Sequence, residues 1–275
     1  MTGHAAHRPL VAFTSLAIAG AGLVAASAYF ELIHDVRSPH TVAAGAILLA
    51  AGLAVSLGHL GQKRRAGLAV RGAGRSALSN EALLAGAALA MAVITAAVGL
   101  SGSRAPGLPA AAGAVNAAFL ISVGLVYRLR GQRTWQGFSA VTPLTGGLAF
   151  GAIAVQTTAG TGGAFLSTLL FLAIDALIFS RRWRIVAGLA FTEATLANPW
   201  TIHRSPLLAA RFFLLDVIPF FLLAVSPTPL AVAAAAAGLI VDRFSFYALA
   251  VQHTTEHEIA DVEAEIAALD RIRHD

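Results

Sequence analysis

The sequence predicts an all-α protein, a polytopic membrane bundle of about eight transmembrane helices, and three observations carry that expectation. Of 275 residues, 57% are hydrophobic and only 12% are charged, whereas a water-soluble domain carries about a quarter charged residues. The apolar residues fall into runs of roughly 20, the length that crosses a bilayer as a helix. The basic residues gather in short clusters between those runs, as topology signals do.

Eight runs qualify: Pro9–Phe30, Thr41–Leu60, Asn80–Leu100, Leu108–Tyr127, Thr142–Ala159, Gly163–Phe179, Leu207–Val225 and Pro229–Val251. The first follows Met1–Arg8 directly with no convincing cleavage site, so it reads as a retained helix and not as a signal peptide. Gly160, Thr161 and Gly162 separate the fifth and sixth runs. Such a glycine cluster predicts a tight hairpin over one bent, very long helix. Pro227 and Pro229 punctuate the seventh and eighth runs in the same way. Runs of small residues, such as Gly20–Ala21–Gly22 and Gly147–Leu148–Ala149–Phe150–Gly151, allow close helix approach, but Ala-rich coding bias explains any one of them equally well.

The chain divides into a membrane domain, residues 1–252, and a tail, residues 253–275. In the tail Ile259, Val262, Ile266, Leu269 and Ile272 recur at helical spacing among six acidic residues, Glu256 to Asp270. With Thr255 and Glu258 spaced as a capping box, a short acidic amphipathic helix outside the membrane is expected.

Charge sets the orientation. Lys63, Arg64, Arg65, Arg71 and Arg75 follow the second run, Arg128, Arg130 and Arg133 the fourth, and Arg181, Arg182, Arg184 and Arg204 the sixth. The positive-inside rule places these even-numbered connections in the cytoplasm, and both termini are expected on the other side. The net charge of +5 is distributed as a topology signal and not as a phosphate-binding face, so no nucleic-acid partner is expected. Without cysteine the chain holds no disulfide, thiolate metal site or iron–sulfur cluster of its own.

Ionisable groups at bilayer depth are costly and invite a functional question. They are Glu81, Asp175, Arg211, Asp216, Asp242 and Arg243, with His59 and His253 at helix ends. Glu81 reads either as a first-turn carboxylate complementing the helix dipole, with Ser79 as the cap, or as a proton acceptor. His59 reads either as an interfacial residue with its tip in water or as a relay partner of Glu81, since both fall at one membrane face. Arg211 and Asp216 are five apart, too far round for a standard i,i+4 pair, and adjacent Asp242 and Arg243 point about 100° apart on a helix. Cross-helix pairing is therefore expected, with Asp175 and Asp216 neutralising Arg211 or Arg243. None of the nine histidines lies well inside a run, so no pair brackets a porphyrin and no haem is expected.

The run Ser56–Leu57–Gly58–His59–Leu60–Gly61 followed by Ser76–Ala77–Leu78–Ser79–Asn80–Glu81 resembles the membrane anchor subunit of dimethyl sulfoxide reductases. Weaker similarity lies in Pro9–Leu10, Thr134–Trp135, Thr142–Pro143 and in Arg243 with Phe246–Tyr247. The resemblance implies an eight-helix anchor in the cytoplasmic (inner) membrane of a bacterium or archaeon. It implies menaquinol as the bound substrate of anaerobic electron transport, with no haem or metal in this chain. The implied partners are an iron–sulfur electron-transfer subunit and a molybdopterin catalytic subunit. Glu81 is similar to the family's quinol-site carboxylate and proton acceptor, and His59 to its quinol-site histidine; Ser79, Asn80 and Arg243 complete the quinol-binding candidates. Asp242 and the acidic tail depart from the pattern. A secondary transporter, drawing on Asp175, Asp216 and Asp242, and a scaffold without redox chemistry are the rival classes.

Overall fold

A helix of Ala, Gly and Ser can be surrounded by other helices at close range, and the first apolar run forms such a helix. In the computed structural model, which describes residues 8–59, 74–126, 141–159, 162–192, 205–226 and 228–248, α1 (Arg8–His34) is the hub. Its membrane-length stretch is 83% buried, and it packs on α2 (Pro39–His59), α4 (Leu108–Val126) and α5 (Thr142–Ala159). Helix α3 (Ala77–Leu100) closes the sheath between α2 and α4. On the other side stand α6 (Gly162–Thr192), α7 and α8 (Pro229–Ala248). Helix α7 is composite: Ser205–Phe212, a π-helical turn at Phe213–Val217, then Ile218–Val225.

The small-residue runs find each other inside the chain. A Cβ added at Gly22 would land on the backbone of Gly147, and one added at Gly151 would land on Gly22. One added at Gly20 would sit 2.6 Å from the Gly45 carbonyl oxygen. Only glycine lets these backbones touch, so α1 crosses α2 and α5 on hydrogen-sized side chains.

Among the described residues, seven of the eight helices are long and apolar enough to cross a bilayer. The exception, α5, has 18 residues, which is roughly 27 Å at 1.5 Å per residue. Thr145, Gly146, Gly147, Ala149, Phe150, Gly151 and Gln156 are all buried in it. A helix screened from lipid by its neighbours needs no lipid-soluble surface, so its lower apolarity follows from its central place. Leu166, Leu170, Leu177, Phe221 and Leu230 on the outer helices are exposed instead, as lipid-facing residues are.

Three expectations need correction. Gly52 of α2 lies level with Phe13 and Ala17 of α1, and Gly45 with Gly20 and Val24. The pair is antiparallel, and the end of α2 lies beside the start of α1. Leu10 and Val11 also pack on Phe246 and Tyr247 near the end of α8. Each crossing reverses direction and two crossings return the chain to its starting side. The start of α1 and the end of α8 therefore share the face of the basic connections, not the opposite one. Second, the sixth helix does not stop at Phe179 but runs on to Thr192, and Arg182, three residues beyond Phe179, turns inward to Asp242. Third, α3 starts at Ala77, three residues ahead of the apolar run. The acidic tail, His253, Arg128 to Trp135, Arg204 and Lys63 to Arg71 of the connection after the second run lie outside the described residues.

Candidate functional site

Among the described residues, ionisable side chains interrupt the apolar interior at two places, in different halves of the bundle. The first is at the start of α3. Ser76 occupies the cap position in extended conformation, and its side chain makes no capping hydrogen bond. The segment is fastened differently: the Gly74 amide, at φ +75, donates to Asn80 Oδ1 over 2.7 Å. Ser79 is thus inside the first turn and is not the cap. Glu81 falls in the second turn, beyond the reach of a first-turn dipole partner.

Glu81 is only 5% exposed and heads a buried stripe, Glu81, Ala85, Ala88, Ala92 and Ala96, spaced by four and three along one face of α3. Asn116 of α4 meets this stripe, donating to the Ala88 carbonyl at 3.4 Å. Oε1 of Glu81 has no hydrogen-bond partner among the described residues. A buried carboxyl oxygen without a donor calls for an explanation, since most such atoms in native proteins are satisfied. His59 ends α2 at this same end of the bundle; its side chain lies outside the described residues.

The second group joins α6, α7 and α8. Asp175, Arg182, Arg211, Asp216, Asp242 and Arg243 are all buried. Arg211 bonds Asp175 at 2.5 Å and Asp216 at 2.7 Å, and its Nε stands 3.6 Å from Asp242 Oδ1. Arg182 bonds the same Asp242 oxygen at 2.8 Å, and Arg243 Nε bonds Oδ2 at 2.9 Å. Thr145 of α5 donates to Asp175 Oδ1 over 2.6 Å. Aromatic faces cover the guanidinium groups: Phe179 lies 4.2 Å from Arg211, and Phe246 lies 5.0 Å from Arg243 and 5.6 Å from Arg182. Three cations and three anions thus share one buried site, which is tolerable in hydrocarbon because every charge has a counter-charge.

The cross-helix pairing expected of Asp175 with Arg211 is present, while Asp216 pairs with Arg211 within α7, and two of the distance arguments fail. Arg211 and Asp216 do pair, because the π turn between them has the Ile218 amide donating to the Phe213 carbonyl five residues back. A wider turn brings i and i+5 onto one face. Arg243 also reaches its neighbour Asp242, since a long flexible side chain can curl back across 100°. Arg182 is the residue that sequence reading missed, having been counted as a loop charge. Its signal was the spacing Asp175, Phe179, Arg182, which is one helical face.

Of the quinol-binding candidates, Glu81, Ser79 and Asn80 lie together on α3, with the end of α2 beside them. Arg243 stands apart, in the charged cluster on α8, a helix that packs on α7, α5 and α1. Among the described residues no group of three or more His, Asp or Glu is arranged to hold a metal ion. No family model matches the chain, and no curated protein matches it.

Proposed function

We propose that this chain is the membrane anchor and menaquinol-oxidising subunit of a molybdopterin S- or N-oxide reductase complex. The observation that carries the reading is Glu81, buried in the second turn of α3 with one carboxyl oxygen unpartnered among the described residues. Quinol oxidation releases two electrons and two protons, so its site needs a proton acceptor and a hydrogen-bond partner for the ring oxygens. Glu81 Oε1 accepts a proton from one ring hydroxyl and passes it to the adjacent aqueous face. His59 bonds the other ring oxygen and takes the second proton, which leaves to the same face. Both electrons leave to an iron–sulfur cluster of the partner subunit, and the oxidised quinone returns to the lipid.

Positive charge marks the face carrying His59, Glu81 and the basic connections as the cytoplasmic face of a bacterial or archaeal inner membrane. Both termini then lie in the cytoplasm. Lys63 to Arg75 form a natural dock for the iron–sulfur subunit. Glu81→Gln is expected to abolish quinol-dependent reductase turnover while the complex still assembles; unchanged turnover removes Glu81 from the mechanism.

The charged cluster favours a second reading, a secondary transporter, because buried ion clusters beside an irregular helix at mid-membrane are what such proteins use. Purification separates the two. Iron, molybdenum and two soluble subunits accompanying the chain support the anchor, and a lone polypeptide supports transport.

A further inference from the structure

The charged cluster is neutral as a whole but not in its parts. Its inner half sets one arginine, Arg211, against two carboxylates, Asp175 and Asp216. Its outer half sets one carboxylate, Asp242, against two arginines, Arg182 and Arg243. With every group ionised the inner half carries one negative charge and the outer half one positive charge. Asp175 and Asp216 lie near the middle of the spans Ala164–Arg184 and Pro206–Val225, where uncompensated charge is most costly. Arg182 and Arg243, although buried, lie towards the ends of Ala164–Arg184 and Pro229–Tyr247, nearer the membrane edge, where charge costs less than at the centre.

One oxygen of the inner half stands out. Asp216 is 5% exposed, and its Oδ1 has no hydrogen-bond partner among the described residues, while Oδ2 is taken by Arg211. Asp175 has both oxygens engaged, by Thr145 and Arg211. The π turn fixes this arrangement, because it alone brings Asp216 onto the face of Arg211. Gly238 of α8 lets the turn seat closely: a Cβ there would lie 2.7 Å from the Leu215 amide nitrogen.

We propose that Asp175, Arg211 and Asp216 form a one-proton binding site within the membrane, with Asp216 Oδ1 as the acceptor, separate from Glu81. The proton comes from water and forms an O–H bond; no other bond breaks and no electron moves. The groups that face it are Asp175 from α6, Thr145 from α5, Asp242 from α8 and Arg211 from its own helix. A bound proton cancels the inner charge where it costs most and leaves the remaining positive charge towards the membrane edge. A metal cation fits less well, because it needs several oxygen ligands and Arg211 already occupies the space between the two carboxylates.

Infrared difference spectroscopy of the full chain in lipid nanodiscs, titrated with pH and repeated after isotope labelling of aspartate carboxyls, tests this. The expected result is a buried protonated-carboxyl stretch that shifts with the aspartate label, is lost in Asp216→Asn and persists in Glu81→Gln. If Asp216→Asn does not assemble, Asp216→Glu decides instead: the band must remain but no longer respond to the aspartate label. Three results overturn the proposal: no label-sensitive band in the wild type, a label-sensitive band that survives at Asp216→Glu or Asp216→Asn, or loss of the band on adding sodium at constant pH.

Discussion

The two sides of α1 are held by opposite means. Towards α2 and α5 the contact is made by glycines, with Gly20 on Gly45 and Gly22 between Gly147 and Gly151. There the helices touch backbone to backbone, and dispersion contacts do the work. Away from the hub, α6, α7 and α8 are joined by arginine, aspartate and phenylalanine, with a close backbone approach at Gly238. The first kind of interface tolerates no added atom, and the second tolerates no missing partner. The lesson is that buried small residues and buried charges both specify helix pairing in a membrane, but they fail in different directions.

That contrast can be broken from either side. Arg211→Met is expected to do the most damage, because it leaves Asp175 and Asp216 as unpaired buried carboxylates, at a cost of about 3–5 kcal/mol. The midpoint of thermal unfolding in detergent checks it. Gly151→Leu attacks the other interface by overpacking and is expected to cost about 3 kcal/mol, at the upper end for inserted side-chain volume. Loss of monodisperse protein on size-exclusion chromatography reads it out. Arg182→Met should cost less, about 2 kcal/mol, since Asp242 keeps Arg243 as a partner. Smallest of all is Asn80→Ala, about 1 kcal/mol. It removes only the bond to the Gly74 amide and loosens the start of α3 without touching either interface.

Much of the bundle was legible in the sequence, because a bilayer demands about 20 apolar residues per crossing and the chain supplies them in separate runs. Each of the eight described helices except α3 starts within two residues of its expected place. What was not legible depended on geometry that residue types do not encode. The π turn at Phe213–Val217 changes which residues share a face, so the Arg211–Asp216 pair looked impossible at five residues' separation. Arg182 looked like a loop charge because its partner, Asp242, is 60 positions away. The first-turn reading of Glu81 failed because α3 begins ahead of its apolar run, with Ser76 and not Ser79 in the cap position. Of the quinol-site candidates, the α3 group was readable from sequence as one cluster, while the place of Arg243 was not.

The most direct test of the quinol-oxidation account is the steady-state oxidation of a water-soluble menaquinol analogue by the purified complex, with wild-type and Glu81→Gln chains compared at equal content of iron and molybdenum. The account predicts that the variant retains both metals and reduces the terminal acceptor from an artificial donor at the wild-type rate, yet loses quinol-dependent turnover. Wild-type turnover from the quinol analogue in Glu81→Gln would contradict it.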